Sequence, residues 1–232
     1  MMKPLQLVKA VALLLVTAVA SSTGASAAEE RRVALVIGNS AYLTAGALAN
    51  PKNDATAIAK ALEKAGFGDV TLVTDLDNSG MRKALKAFSR KAAGADIAAV
   101  YYAGHGVEVA GQNYLIPVDA ELAQAGDVEH EAIGLSSVLS TVEGANRLRL
   151  VILDACRNNP FKLAGSEGKR SVGRGLARVE PQGGNTLVAY SAREGTVALD
   201  GPEGENSPFA TALIKAMEEP QDVRIMFGQV RD

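Results

Sequence analysis

The sequence predicts an α/β fold in which helices cover both faces of a mostly parallel central sheet. Apolar runs of strand type alternate with segments of helical periodicity three times in the first part of the chain, and this alternation is typical of parallel sheets. The 232 residues are 47% hydrophobic and 22% charged, as expected of one sizeable globular domain. The sequence contains neither an internal repeat nor the signs of a second domain.

The first half of the chain contains three predicted strands and two predicted helices. The buried run from Arg32 to Gly38 predicts the first strand. A helix is expected to begin at Asn50-Pro51, because proline suits the first helical position, and to end at Gly66. The remaining elements of this half are a strand over 70–73, a helix capped by Asn78 or Ser79 and ended by Gly94, and a strand over 97–102.

The second half of the chain is less regular. Residues 107–117 predict a small β-hairpin that turns at Ala110-Gly111. The other predicted elements are an acidic loop over 119–131, a short helix over 136–143, a strand over 148–154, a long surface loop over 161–184, a strand over 186–190, a helix opened by Ser207-Pro208, and a final helical segment over 222–232.

The N-terminus has the features of a signal peptide over residues 1–27. Positive charge precedes an apolar run, Ala10 to Ala20, that is too short to span a bilayer comfortably. Ala25-Ser26-Ala27 fits the small-residue cleavage pattern, so the mature chain is expected to begin near Ala28. We therefore expect a periplasmic or secreted protein with no membrane span after cleavage. The alternative is an uncleaved N-terminal anchor.

The charge of the chain argues against a nucleic-acid partner. The formal net charge is −2, and it becomes −4 when the first 27 residues, which hold two lysines and no acid, are removed. A nucleic-acid surface would be strongly basic.

The candidate reactive residues of the sequence lie at the ends of two predicted strands. Cys156, the only cysteine, follows one apolar run, and His105 follows another, between Gly104 and Gly106. A thiol needs a base or an electropositive setting to attack a carbonyl group, and the glycines would leave the imidazole accessible and permit unusual dihedral angles. Either residue alone favours a structural role. Together, about 50 residues apart, they favour catalysis, with the N–H groups of Gly106 and Cys156 as an oxyanion hole.

At this point the chain resembles the caspase and metacaspase superfamily, in particular its bacterial caspase-like members. The resemblance covers about Arg32 to Met217 in the right order, and it rests on the ordered set rather than on one motif. The matching segments are Ala34-Leu-Val-Ile-Gly-Asn39, Asn50-Pro-Lys-Asn-Asp54, Tyr101-Tyr-Ala-Gly-His-Gly106, Asp154-Ala-Cys-Arg157, Ala189-Tyr-Ser191 and Asn206-Ser-Pro-Phe209.

The resemblance implies a caspase-haemoglobinase-like α/β/α sandwich and a cysteine-type endopeptidase. His105 would be the general base and Cys156 the nucleophile of a His-Cys dyad. The peptidase domain would occupy residues 28–232, with the loop over about 161–184 between parts that resemble the large and small subunits. Metacaspases are generally monomeric, so a monomer is expected here.

The resemblance also bears on specificity. Animal caspases carry glutamine two positions before the cysteine, whereas this chain carries Asp154, and Asp200 aligns with an arginine of the caspase pocket. Two carboxylates would repel a substrate aspartate and pair with a substrate arginine or lysine, as in metacaspases and paracaspases. The alternatives are a capping role for Asp154 and a turn, Asp200-Gly201-Pro202, for Asp200.

Several further residues have both a structural and a functional interpretation. No organic cofactor is required and no metal site is assigned, although calcium is possible, as in many metacaspases. Asn39 and Asn53-Asp54 are expected to orient backbone, and His130 to lie on the surface. The candidate calcium ligands, which lack calcium-loop spacing, are Asp119, Glu121 and Asp127. The long loop carries basic residues that mark either a solvated linker or a self-cleavage segment: Lys169, Arg170, Arg174 and Arg178.

Two other functions compete with the peptidase hypothesis. The first is a catalytically inactive caspase-like domain that serves as a binding or scaffold module. The second is a thiol hydrolase or transferase that acts on a non-peptide substrate.

Overall fold

The computed structural model has three layers, with helices on both faces of a mostly parallel sheet, and the predicted α/β fold is confirmed. It describes residues 30–156, 172–173, 176–177, 179, 184–191 and 201–231. The predicted signal peptide, most of the 161–184 segment and Asp200 lie outside these residues. Within them, no helix has the length and apolar character needed to cross a membrane.

The sheet consists of a parallel part and an antiparallel part that share one strand. The strands are β1 (Arg32–Gly38), β2 (Asp69–Thr74), β3 (Ile97–Val109), β4 (Gln112–Leu115), β5 (Ile133–Gly134), β6 (Leu148–Cys156), β7 (Val172–Gly173) and β8 (Thr186–Tyr190). The parallel part has the order β2-β1-β3-β6-β8, and the antiparallel part adds β4, β5 and β7 beside the end of β3.

The helices divide between the two faces of the sheet according to their apolar stripes. The helices are α1 (Pro51–Lys64), α2 (Asn78–Ala92), α3 (Val128–Glu131), α4 (Leu135–Val142), α5 (Pro208–Ala216) and α6 (Val223–Arg231). One core cluster joins α1, α5 and α6 to the sheet, and a second joins α2 and α4 to the opposite face. Pro51 occupies the first turn of α1 as predicted, and Gly66 takes a positive φ of 87° just after that helix.

The third strand is longer than the sequence predicts. The apolar run ends at Tyr102, but β3 continues for seven more residues, because its end pairs with β4 in the hairpin. The predicted turn at Ala110-Gly111 is confirmed, with positive φ at both residues. The expectation that His105 lies just past a strand end is therefore wrong: His105 lies within β3, where the parallel and antiparallel parts of the sheet meet.

Other predictions about local structure need correction. Asp77 caps α2, because its Oδ1 accepts a hydrogen bond from the N–H of Gly80 at 2.6 Å, so neither Asn78 nor Ser79 is the cap. The 119–131 segment is not only a loop, since it contains a short 3-10 helix and α3. Part of the 161–184 segment is packed rather than superficial: β7 pairs with β3, and Leu176 is 2% exposed.

Candidate active site

His105 and Cys156 occupy directly paired positions on adjacent parallel strands. The β3–β6 register runs from Ile97 opposite Leu148 to His105 opposite Cys156. Neighbouring strands lie about 4.8 Å apart, so the fold brings the two predicted dyad residues together across one strand spacing. The position of the Cys156 side chain lies outside the described part of the structure.

The backbone of His105 is held by hydrogen bonds from three elements. Its N–H donates to the phenol oxygen of Tyr42 at 2.7 Å. Its carbonyl oxygen accepts from the Tyr102 hydroxyl at 2.7 Å and from the Ile116 N–H at 3.1 Å. Because buried backbone groups need such partners, these bonds replace the regular ladder at the point where the strand changes from parallel to antiparallel pairing.

The two glycines beside His105 have different structural roles. Gly104 has a φ of 153°, and a Cβ atom there would lie 2.5 Å from the Tyr42 hydroxyl and 2.7 Å from the Tyr102 hydroxyl. Gly106 does not take a positive φ, but a Cβ atom there would lie 3.1 Å from Leu176 Cδ2. The prediction of an unusual dihedral angle is therefore confirmed for Gly104. At Gly106 a glycine is needed because a larger residue would contact Leu176 too closely.

The imidazole of His105 is oriented by the loop that follows β1. Its Nε2 lies 2.8 Å from the carbonyl oxygen of Gly46, and its ring packs against Tyr42 with 4.4 Å between centroids. A carbonyl oxygen only accepts hydrogen bonds, so Nε2 carries the proton, and in the neutral ring Nδ1 is the acceptor. His105 is 5% exposed, so the expectation of an accessible imidazole is wrong for this conformation.

Asp75 fixes the base of the loop that reaches His105. Its Oδ1 accepts hydrogen bonds from the N–H groups of Ser40 and Ala41 at 2.8 and 2.9 Å, and its other oxygen forms an ion pair with Lys52. Partial burial raises the pKa of Asp75, but the hydrogen bonds with Lys52 and with the two amides outweigh it, and the pKa lies below its ordinary value. The carboxylate therefore stabilises the loop in its charged form.

Asp154, the predicted substrate-binding residue, lies two residues before Cys156 and is 8% exposed. Its Oδ2 accepts hydrogen bonds from the Tyr101 hydroxyl at 3.1 Å and from the Ser207 hydroxyl at 2.7 Å. Burial, followed by the nearby carboxylates of Asp154 and Asp54, raises the pKa of Tyr101 well above its ordinary value. Tyr101 thus remains a protonated donor that holds the Asp154 carboxyl in one orientation.

The segment over 201–207 is tied to the start of α1. Asn50 donates to the Pro202 carbonyl at 2.9 Å and accepts from the Gly204 N–H at 3.1 Å, and Asp54 accepts from the Ser207 N–H at 2.8 Å. The prediction that Asp54 orients backbone is therefore confirmed. It is also confirmed for Asn39, whose Oδ1 accepts a hydrogen bond from the Leu76 N–H at 3.0 Å.

The three calcium candidates do not come together in the structure. Asp119 accepts a hydrogen bond from the Asn78 N–H, and Asp127 accepts from the N–H groups of Gln124 and Ala123. Glu121 is exposed. Across the described ranges, no three His, Cys, Asp or Glu side chains cluster as metal ligands would, so this structure assigns no metal to these residues. His130 is exposed, as predicted.

Sequence reasoning missed four residues that shape the site. Tyr42 and Gly46 contact His105, Asp75 holds their loop, and Ser207 contacts Asp154. The only local signal was the helix start at Ser207-Pro208, where the Ser207 hydroxyl accepts from the Ala210 N–H as a helix cap. The others act through contacts between distant parts of the chain, which local patterns do not indicate.

The sheet order and the paired histidine and cysteine positions define a caspase-like α/β domain. The chain belongs to the caspase domain family, whose sequence model matches residues 31–232. The matched domain is of the cysteine-peptidase type. The resemblance noted from the sequence is thereby confirmed.

Two known proteins illustrate this relationship. The mucosa-associated lymphoid tissue lymphoma translocation protein 1 of Homo sapiens is 31% identical over 127 residues, which make up 54% of this chain and 15% of that protein. The chain therefore corresponds to only a small part of this relative. The crystal structure of caspase-1 from Spodoptera frugiperda has the same fold, with a TM-score of 0.60 and 17% identity over 87% of this chain and 75% of that one.

Proposed function

We propose that this protein is a cysteine endopeptidase that cleaves after arginine or lysine, with Cys156 as nucleophile and His105 as general base. The observation that carries the proposal is the register of β3 and β6, which pairs the only cysteine of the chain with the buried histidine. Membership of the caspase domain family supports the same reaction class.

The tautomer of His105 suits proton transfer through Nδ1. This nitrogen takes the thiol proton, and the thiolate attacks the substrate carbonyl carbon. The C–N bond then breaks, the imidazolium gives its proton to the leaving amine, and a thioester remains. Water, deprotonated at Nδ1, hydrolyses the thioester and restores the thiol. The hydrogen bond from Nε2 to the Gly46 carbonyl keeps the ring in place during both transfers, and the N–H groups of Gly106 and Cys156 are the proposed oxyanion donors.

Asp154 is the proposed determinant of specificity. Its oriented carboxyl would form charge-assisted hydrogen bonds with a guanidinium or ammonium group, and Asp200 is proposed to add a second carboxylate. The bonds from Tyr101 and Ser207 support this role, because they fix the rotamer of Asp154 before a substrate arrives.

The remaining features of the proposal come from the sequence. We propose a monomer that is exported to the periplasm or secreted, acts on protein or peptide substrates and requires no organic cofactor. The basic 161–184 segment is a proposed site of self-cleavage, since an arginine-directed peptidase would find its own recognition residues there.

The test compares the protein with its Cys156→Ala and Asp154→Asn variants on fluorogenic peptides that end in Arg, Lys or Asp, with and without calcium. A peptidyl-arginine chloromethyl ketone, followed by intact-mass measurement, reports the reactivity of the thiol. We expect cleavage after Arg and Lys, no cleavage by Cys156→Ala, and a KM for Arg substrates at least tenfold higher in Asp154→Asn.

Each other outcome has a definite meaning. Cleavage after Asp would retain the dyad and overturn the role of Asp154. No turnover and no labelling of Cys156, in a protein that unfolds cooperatively, would favour a binding module. Turnover of non-peptide thioesters alone would identify a different thiol hydrolase.

A further inference from the structure

Helix α2 has an unusual charge composition for a helix in an acidic protein. The chain has a net charge of −2, yet the fifteen residues of α2 include five cations and no acidic side chain. Three of the cations, Arg82, Lys86 and Arg90, recur every four residues, and this spacing places them along one side of the helix. Like charges four residues apart on a helix repel one another, and an acidic partner would relieve this repulsion.

This stripe borders a groove between α2 and α4. The groove has a volume of about 470 Å³. Its floor is apolar, formed by Leu85 and Ile133, which are 5% and 1% exposed. Its far wall carries the hydroxyl groups of Ser137 and Ser140 from α4, a helix without charged residues. The groove therefore combines an apolar floor, a cationic side and a hydroxyl side, and the described residues that line it include no acidic side chain.

The charges of the stripe are not neutralised within the described part of the chain. Lys91, on another side of α2, forms an ion pair with Asp69 at 2.7 Å, whereas none of the ion pairs among the described residues includes Arg82, Lys86 or Arg90. Arg82 donates to Asn78 Oδ1 at 2.7 Å and to the Ala132 carbonyl at 3.3 Å. These acceptors are neutral, so they fix the position of the guanidinium and leave its charge uncompensated.

We propose that the groove binds an extended acidic segment of a partner protein. The rise of an α-helix is 1.5 Å per residue, so cations four residues apart are separated by about 6 Å along its axis. Alternate side chains of an extended peptide are separated by about 6.6 Å on one face. A segment with Asp or Glu at every second position therefore matches the stripe, and the serine hydroxyls and the apolar floor accept the other side of the peptide.

The shape and surroundings of the groove favour a peptide over a membrane or a nucleic acid. A membrane-binding surface needs exposed apolar side chains that insert into the lipid, but the large exposed hydrophobic residues of the described ranges, Leu43, Leu72 and Ile225, do not line the groove. The phosphates of a nucleic acid that extends beyond the groove would be repelled by the net negative charge of the protein. The inference does not depend on the proposed peptidase activity, because the described residues that line the groove include none of the candidate active-site residues.

Fluorescence anisotropy with a labelled probe peptide, Gly-Glu-Ser-Glu-Ser-Glu-Ser-Gly, tests the proposal. The peptide has no Arg or Lys, so the proposed peptidase would not cleave it. Its matched control replaces the three glutamates by glutamine. The groove variant is Arg82→Gln/Lys86→Gln/Arg90→Gln, and the control variant makes the same charge change elsewhere, as Lys60→Gln/Lys64→Gln/Lys215→Gln, three exposed positions on α1 and α5.

We expect micromolar binding of the acidic peptide that weakens as ionic strength rises. The groove variant should lose at least tenfold in affinity, the control variant less than twofold, and both should keep the Tm of the parent protein. Three results would overturn the proposal: no binding of the acidic peptide, equal loss in both variants, or binding to phosphatidylglycerol vesicles in place of the peptide.

Discussion

The phenol oxygen of Tyr42 accepts a hydrogen bond from the backbone N–H of His105 at 2.7 Å, and its ring packs against the imidazole. Tyr42 thus contacts both the main chain and the side chain of the proposed general base. It belongs to the same loop as Gly46, whose carbonyl orients the imidazole. The position of the base therefore depends on a loop more than 50 residues away in sequence.

Tyr42→Phe should lower both stability and activity. The substitution leaves the buried N–H of His105 without its acceptor, which costs about 1–3 kcal/mol, and Tm should fall by several degrees. With the base less firmly placed, kcat should fall more than KM changes. Tyr114→Phe is the matched control, because its hydroxyl bonds only Gln112 among the described contacts, at 3.3 Å. Equal effects in the two variants would contradict this role for Tyr42.

Gly104→Ala should be strongly destabilising. The φ of 153° is unfavourable for alanine, and the added methyl group would collide with the hydroxyls of Tyr42 and Tyr102. The cost should exceed about 2 kcal/mol, and Tm and activity should both fall. Gly126→Ala, where an added Cβ meets no atom within 4 Å, should leave both unchanged. A stable Gly104→Ala variant would mean that this part of β3 adopts a different backbone conformation.

Asp75→Asn should reduce stability in a manner that depends on pH. The pKa of Asp75 is lowered in the folded protein, so its contribution is fully present above its ordinary pKa of about 3.9 and is lost as pH falls through the lower folded value. The difference in Tm between the parent and Asp75→Asn should therefore be largest near neutral pH and shrink towards pH 3.

The kinetic effect of Asp75→Asn distinguishes a displacement of the loop from the general effect of removing a negative charge. Because Asp75 holds the loop that carries Tyr42 and Gly46, kcat should fall severalfold at pH 7. Asp69→Asn removes another lysine-paired aspartate, whose ion pair is about 40% exposed on both sides, and it should leave kcat unchanged. A similar loss in both variants would argue against coupling of Asp75 to His105.

Asn113→Ala should release the segment that follows β7. The Asn113 side chain donates to the Ala177 carbonyl and accepts from the Ala177 N–H, each at 2.7 Å. Without these bonds, trypsin should cut after Arg178 severalfold faster, as mass spectrometry of timed digests would show. Asn146→Ala removes an exposed side chain whose bond to Gly94 is 3.4 Å long, and it should not change the rate. An unchanged rate in Asn113→Ala would mean that other contacts hold this segment.

The parts of the fold that the sequence predicts well are those with a local cause. The run from Val33 to Gly38 is apolar because β1 is covered on both faces. Pro51 marks the start of α1 because its fixed φ and missing N–H suit that position. His105 and Cys156 could be identified from the sequence as candidate catalytic residues because each follows an apolar run, even though the structure places His105 inside a longer strand.

The parts that the sequence does not predict depend on contacts between distant residues. No local pattern links Gly46 to His105, or Ser207 to Asp154 across 53 positions. The continuation of β3 beyond Tyr102 results from pairing with β4 and β7, and β7 itself has only two residues. Loop segments that carry few apolar residues give no indication of which backbone carbonyl will meet a given side chain.

The register of β3 and β6 also has a consequence for the newly synthesised chain. Parallel strands are joined by long connections, and the entropy of closing these loops must be paid before the strands can pair, so such pairings are slow to form. His105 and Cys156 are brought together by one such pairing, since neither a helix nor the β3–β4 hairpin joins them. Assembly of the parallel sheet, and not any local element, therefore brings the two residues of the proposed dyad together.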